Sequence, residues 1–468
     1  MQRRMRVCVF VVAMSMVACR TAMPPKQSAP PPAEVTQLQG TESKAAALTA
    51  SLCDSAGARL SGSPGEARGV AWAVETMKSL GFDNVHTEPV LVSHWVRGAE
   101  TAKVTLPFEQ PLTIVGLGHT VPTPEGGVEA EVVEVESFDA LTALKPGSLT
   151  GKILFVNIPM RRANDGAGYS AVAKVRGLAG LHGLAAGAAA VLIRSVGTDV
   201  TRVGHTGWQS ATPAKIPAAA LSVPDAELVH RLLQKGAPVR IALSLSSREE
   251  APVESFNVVG ELSGREKPQE VVLLGAHLDS WDLGTGALDD GAGVGIVLDA
   301  VRLIGTLARH PKRTVRVVLF ANEENGLAGG KAYAKAHEAE FAQHVLAMEA
   351  DSGTGAALAA RVLASKEGHA QFMTWAPWLQ PLGVPFQGDA AGGGADLIPL
   401  RAAGVPLLDV RQDASTYFDF HHTANDTVDK LEPIHQAQVA RTYATLAWLA
   451  AEQEVDFGRT PKELRERK

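Results

Sequence analysis

Val271-Val-Leu-Leu-Gly-Ala276 is an apolar run with no polar face, and a strand of that kind has to be covered on both sides. Cover on both sides means helices above and below a sheet. The sequence supplies them in alternation. Gly291–Leu307 reads as a helix, Thr314–Ala321 as a strand and Leu327–His337 as a helix. His344–Glu349 and Val405–Val410 read as further strands. This order predicts an α/β, three-layer sandwich with a mainly parallel central sheet.

Acids and histidines fall at the ends of those strands. The first run continues into His277-Leu-Asp279, the second ends in Asn322-Glu323-Glu324, and the third ends in Glu349-Ala-Asp351. Open α/β sheets gather ligands at the carboxyl ends of their strands, so the three ends describe one convergent site. Asp289-Asp290 adds two acids in a Gly-rich turn before the Gly291 helix, and His421-His422 adds late histidines.

Each group has a bland reading when taken alone. His277 suits a satisfied core histidine, Glu323-Glu324 a solvated helix start, and Asp289-Asp290 a capped turn. Their co-occurrence argues otherwise, because uncompensated acids at buried strand ends are costly without a cation. No Lys or Arg is adjacent to them in sequence, so they call for a metal. Imidazole and carboxylate ligands without thiolate favour zinc, with cobalt or manganese chemically tolerable. Two dications against Asp289, Glu324 and Asp351 come near neutrality with one hydroxide, whereas a single dication leaves the shell negative.

The chain has 468 residues, too many for one core, so two domains are expected. Residues 43–115 and 251–468 form the catalytic part, interrupted by an inserted, mostly β domain over 116–250. Within the first piece, Ser63-Pro-Gly precedes a helix over Glu66–Leu80 that stops at Gly81. The insert is rich in Gly, Ala and Val, with strands at Lys152–Asn157 and Ala189–Arg194 and helices at Leu178–Ala186 and Asp225–Leu233. Almost no metal-ligand clusters occur there, so it is expected to shape access rather than perform chemistry. The net charge of −6 and the lack of a basic patch disfavour nucleic acid as a partner.

Residues 1–18 are a targeting device. Arg3, Arg4 and Arg6 precede an apolar stretch, Val7–Val17, that is too short to span a bilayer. Met16-Val-Ala-Cys19 has the form of a bacterial lipobox, which predicts cleavage before Cys19 and its acylation; a plain secretory signal is the alternative. Export is implied either way, with a lipid anchor on the periplasmic side (outer membrane over inner) or secretion. The Pro-rich stretch 19–42 is expected to be an extended tether. Only Cys53 then remains in the mature chain, so no intramolecular disulfide can form, and Cys53 suits a small buried apolar residue.

At these motifs the chain resembles the zinc-dependent exopeptidase family that includes bacterial leucyl aminopeptidase, most closely its carboxypeptidase Q subgroup. Four strings carry the resemblance: residues 275–293 from Gly-Ala-His277 through Asp289-Asp290-Gly-Ala-Gly, Asn322-Glu323-Glu324-Asn-Gly, Met348-Glu-Ala-Asp351-Ser-Gly and His422-Thr-Ala-Asn-Asp-Thr. The resemblance implies two zinc ions, with His277 on one and His422 on the other and Asp289 bridging them. Glu324 and Asp351 are then terminal ligands, and Glu323 is the general base. Asp279 orients the His277 imidazole, as coordination chemistry also expects. A cis peptide is implied at Asp289-Asp290. His421 and His422 both offer an imidazole, and spacing to Thr423 and Asp426 aligns His422. The insert resembles a protease-associated domain, and residues 160–210 align poorly, which leaves the substrate pocket open, with His205 as the residue to watch.

The expected activity is exopeptidase action on short peptides or dipeptides by metal-activated water, in a homodimer. No Ser or Cys nucleophile is needed. Action as an aminopeptidase on longer peptides, a glutaminyl cyclase of the same fold and a non-catalytic binding protein are the alternatives.

Overall fold

The computed structural model describes residues 30–209, 215–388 and 391–466. The targeting segment and Cys19 lie outside them. Three helices come first, α1 (Ala33–Gly40), α2 (Ala45–Ala56) and α3 (Pro64–Ser79). The Ser63 hydroxyl accepts the Glu66 N–H to start α3, with Pro64 at the first helical position. Strand β1 (Asp83–Val96) follows.

A second unit then begins, with strands β2 (Glu100–Leu106), β3 (Gln110–Leu112), β4 (Ile114–Gly116) and β5 (Val128–Val135), then helix α4 (Phe138–Thr142). Strand β6 (Ile153–Val156), helix α5 (Ala167–Ala185), strands β7 (Ala190–Arg194) and β8 (Ala218–Leu221), helix α6 (Val223–Leu233) and strand β9 (Arg240–Leu245) complete it. The chain returns through β10 (Arg248–Leu262) to β11 (Lys267–His277), α7 (Ala292–Gly305), β12 (Arg313–Phe320), α8 (Ala328–Ala336) and β13 (His344–Glu349). It ends with β14 (Ala357–Leu363), α9 (Lys366–Leu379), α10 (Ile398–Ala403), β15 (Leu407–Gln412), α11 (Pro433–Glu452) and α12 (Lys462–Arg465).

The larger sheet runs β1-β10-β12-β11-β13-β15-β14. Side chains of β11 and β12 alternate between two hydrophobic cores, Val272 and Leu274 in one, Val271 and Leu273 in the other. Both faces are therefore covered, as the apolar run required. The sheet is mixed, which corrects the expectation of a mainly parallel one. Parallel pairing is confined to β12, β11, β13 and β15, while β1, β10 and β14 pair antiparallel. Helical crossovers α7 and α8 join β11, β12 and β13, and parallel pairing needs such crossovers. β1 and β10 instead carry the chain out to the second unit and back, so they run in opposite directions, paired from Asp83↔Glu261 to Val96↔Arg248.

Four further expectations are corrected. The insert begins at β2, not at residue 116, because β2 pairs with β9 across the whole of Glu100–Leu106. Its sheet, β3-β2-β9-β5-β6-β7-β8-β4, is interleaved with α4, α5 and α6 and is mixed α/β rather than mostly β. Its longest helix, α5, starts at Ala167, well before Leu178; a Gly- and Ala-rich helix gives little amphipathic signal in the sequence. The tether ends before residue 33: α1 packs on α11 with Val35 and Leu38 fully buried, and Gln39 Nε2 donates to the Trp378 carbonyl at 2.8 Å. Two apolar residues spaced by three are enough to dock one helical face.

Cys53 is a buried free thiol among the described residues. None of the described helices is long and apolar enough to cross a membrane.

Candidate metal centre

The strand ends bring the acids and histidines together. His277 closes β11, and its Nε2 lies 3.2 Å from Asp289 Oδ1 and 3.9 Å from Asp351 Oδ1. His422 Nε2 lies 3.2 Å from the other Asp289 oxygen, Oδ2, and 3.0 Å from Glu324 Oε2. One carboxylate thus stands between two imidazoles, with an oxygen toward each. His421 stacks on His422 with centroids 3.6 Å apart, and its Nε2 is 3.4 Å from Asp289 Oδ2.

Local structure holds these groups in place. The Asp289-Asp290 peptide is cis. Asp290 turns back to accept the His277 and Gly293 N–H groups at 3.1 and 2.9 Å, joining the end of β11 to the start of α7. Asp426 accepts the Leu288 and Asp289 N–H groups at 2.6 and 3.2 Å. Asp279 accepts the Glu323 and Glu324 N–H groups and the Ser61 hydroxyl, with Oδ1 also 3.6 Å from His277 Nδ1. Trp281 Nε1 donates to Glu324 Oε2 at 2.6 Å.

The electrostatics are those of a cation shell. Burial works against the Asp289 charge, yet hydrogen bonds and charge from His277, His421 and His422 hold its carboxyl well below the usual range. Burial and the surrounding carboxylates push Glu323 well up, and burial lifts Asp351 to about 6. Burial opposes the charge of His422, but Glu324 and Asp289 raise it to about 9. Asp289 Oδ2 and Glu324 Oε1 are buried without a hydrogen-bond partner. Orphaned carboxylate oxygens beside imidazole nitrogens fit a metal, because ligation takes up those lone pairs and releases the protons.

The ligand groups open into a cavity of about 670 Å³ that both units line. Asp289, Glu323, Glu324, Asp351, His421 and His422 form its floor, and Tyr169, Trp208, Tyr417 and Phe418 its aromatic walls. The insert also holds the histidine turn. His422 Nδ1 is 3.2 Å from the Thr206 carbonyl, the Thr206 N–H donates to the His422 carbonyl, and His205 Nδ1 is 2.8 Å from the His421 carbonyl. His205 is fully buried, its other nitrogen 2.8 Å from Asp199. It therefore lies behind the site and not in the pocket.

Sequence reasoning missed several of these residues. Asp426 sits in the string after His422 and could have been read as an anchor. Arg176 carried no signal: it lies in the middle of α5, 246 residues from His422, yet Nη1 comes within 3.4 Å of His422 Nδ1. The absence of a basic neighbour holds along the chain and fails in space. The insert also gathers Glu134, Glu136 and His230, partly exposed.

Fold and site define a candidate metal centre: His, Asp and Glu side chains that could hold a metal gather at the carboxyl ends of strands in an α/β sheet. The pattern of Peptidase family M28 matches residues 257–447, and Carboxypeptidase Q of Mus musculus is 37% identical over 404 residues, 86% of this chain and 84% of that protein. The chain belongs to peptidase family M28 and is a zinc metallopeptidase. The crystal structure of a peptidase M28 precursor from Shewanella amazonensis SB2B matches with TM-score 0.89 and 42% identity, covering 92% of this chain and 97% of that one. A zinc aminopeptidase from Bacillus subtilis shares the fold at TM-score 0.65 and 18% identity, covering 89% and 97%.

Proposed function

We propose that this chain is a di-zinc metallo-exopeptidase that hydrolyses short peptides, including dipeptides. The observation that carries the reading is the Asp289 carboxylate, with Oδ1 toward His277 and Oδ2 toward His422 at 3.2 Å each. His277 and Asp351 would complete one zinc site, and His422 and Glu324 the other. His421 serves as the packing partner of His422. When bound, the two ions supply a water of lowered pKa and positive charge where the oxyanion develops.

The chain's own residues do the rest. Glu323 takes the proton of the attacking water and returns it to the leaving amine. The hydrogen bond from its N–H to Asp279 fixes where it starts.

This reading includes a three-layer α/β sandwich carrying a protease-associated insert. It also includes export under residues 1–18, a lipid anchor at Cys19 in a bacterial membrane, outer before inner, and a homodimer. The support for the anchor is the lipobox sequence alone.

Elemental analysis and peptide assays on the chain without residues 1–19 test the proposal. Near two zinc ions per chain, cleavage of free dipeptides, and a Glu323→Gln variant that keeps metal but loses about 10³-fold or more in kcat are expected. One zinc with cyclisation of N-terminal glutamine would favour a transferase instead. Cleavage confined to the interior of end-blocked peptides would remove the exopeptidase claim.

A further inference from the structure

Trp281 runs from the metal centre to the insert, and only 4% of its surface is exposed. Its Nε1–H donates to Glu324 Oε2 at 2.6 Å, and its ring lies 5.7 Å from that of His422, centroid to centroid. The opposite edge of the indole meets Gly118 of the insert, where a Cβ would stand 2.2 Å from Cη2 and 2.9 Å from Cζ3. Gly118 is itself fixed on the segment that holds the histidine turn. Its N–H donates to the Gly207 carbonyl at 3.0 Å, and the preceding residue, Thr206, turns its carbonyl to His422 Nδ1. Arg97, where β1 leaves for the insert, gathers the same pieces. It donates to both oxygens of Asp282 at 2.8 Å, to the Gly116 carbonyl at 2.8 Å and to the Thr206 hydroxyl at 3.3 Å.

Packing alone does not require this arrangement. A buried indole needs one acceptor for its N–H, and a main-chain carbonyl suffices: Trp95, in the same apolar cluster, gives its N–H to the Thr120 carbonyl at 3.0 Å. Trp281 gives its own to a carboxylate oxygen that also lies 3.0 Å from His422 Nε2. An indole N–H donates and never accepts, so it competes with no metal and holds one Glu324 oxygen by a charge-assisted hydrogen bond. The other oxygen, Oε1, is buried without a hydrogen-bond partner and is left for an ion. Contacts of the insert thus reach both side chains assigned to one ion, Glu324 through Trp281 and His422 through Thr206. His277, assigned to the other ion, is tied within the catalytic part: its N–H donates to Asp290, and its Nδ1 lies 3.1 Å from the Asp279 carbonyl.

We propose that Trp281 is a positioning residue through which the insert sets the Glu324 carboxylate, and with it the zinc affinity of the Glu324–His422 half of the centre alone. This rests on the two-zinc reading above and deepens it. Gly118 meets the ring edge because it has no side chain, and the indole is then held with its N–H on Oε2. Support from behind a ligand is worth about 10- to 100-fold in metal affinity, and here it falls on one ion of the pair.

The experiment titrates zinc into the metal-depleted chain in competition with a chelator, and elemental analysis counts the ions retained. The parent is expected to hold two. Trp281→Phe, which keeps a ring and loses the N–H, should weaken one zinc by about 10- to 100-fold and leave the other unchanged. Ligand variants locate the loss. Trp281→Phe should cost nothing further in Glu324→Ala, where that site is already broken, and its full amount in Asp351→Ala, where only that site remains intact. Gly118→Ala should reproduce the loss by displacing the indole, and Trp95→Phe should bind zinc as the parent does. Should Gly118→Ala fail to fold, Arg97→Gln, which frees Asp282 from Gly116 and Thr206, takes its place. Equal weakening of both zincs in Trp281→Phe, or the same loss in Trp95→Phe, would assign the effect to packing and overturn the proposal. So would zinc binding unchanged in Trp281→Phe or in the variant that disturbs the insert contact. A parent that holds one zinc or none removes the two-zinc reading itself, whereas two zincs bound alike by parent and Trp281→Phe remove only the role given to Trp281.

Discussion

Asp279 and Glu323 are joined through the main chain: the Glu323 N–H donates to Asp279 Oδ1 at 3.0 Å, and the next N–H, of Glu324, donates to Oδ2 at 3.3 Å. The same carboxylate faces His277 Nδ1 at 3.6 Å. One side chain after β11 thus stands beside the His277 imidazole and holds the loop that carries Glu323 and Glu324. Its role is wider than orienting the imidazole alone.

Asp279→Asn keeps one acceptor oxygen for two N–H donors and removes the charge beside His277. A loss of about 10- to 100-fold in kcat with weakened zinc binding is expected, the usual scale for groups that support metal ligands. Steady-state kinetics with zinc titration measures it; unaltered kcat and zinc affinity would show that the loop is held by other contacts.

Metal removal should make stability depend on pH in a defined direction. Burial raises Asp351 to about 6 and Asp396 to about 8 from an ordinary 3.8. Below pH 4 both are protonated folded or unfolded. Between about pH 4 and 8 the folded chain binds more protons than the unfolded one, so stability falls as pH rises through that window. Chelator-treated protein should therefore melt at a higher temperature at pH 5 than at pH 8. Zinc should stabilise more at pH 8, because its ligands must be deprotonated. Thermal melts with and without zinc at the two values check both signs.

His205→Ala should loosen the histidine turn from behind. It deletes the contact with the His421 carbonyl and leaves Asp199 with fewer partners in a buried place. A stability loss of about 1–3 kcal/mol and weaker zinc binding are expected. Denaturant midpoints and zinc titration measure these, and a change in stability alone would confine His205 to packing the insert.

Gly293→Ala should be severe. A Cβ there would lie 1.9 Å from the Ala350 carbonyl oxygen and 2.3 Å from Asp290 Oδ1, where backbone cannot yield. A cost of at least about 3 kcal/mol is expected, read as a lowered denaturant midpoint or loss of soluble protein. A variant as stable as the parent would mean that α7 can shift at its first turn.

Much of the sheet's centre was legible because its strands hold long apolar runs. Val271–Ala276 has no polar face and His344–Glu349 is polar only at its two ends, and both stand in the structure where the sequence put them. Edges were harder. β1 and β10 carry charged residues along exposed stretches and take their direction from the excursion into the insert, which no local pattern records. The weak amphipathicity of α5 hid its first half, and α1 was masked by the prolines before it.

By itself the sequence determined that acids and histidines cap consecutive strands, because a buried strand needs apolar residues along its length and tolerates polar ones only where it ends. That rule placed His277, Glu323, Glu324 and Asp351 at one edge of one sheet before any coordinates. Tertiary structure alone decided which Asp289 oxygen faces which imidazole. It also brought Arg176 and Arg411 to the lining of one cavity and gave the Thr206 carbonyl of the insert to the His422 ring. Those contacts join residues far apart in the chain, and their geometry follows from how two units pack rather than from any period along the sequence.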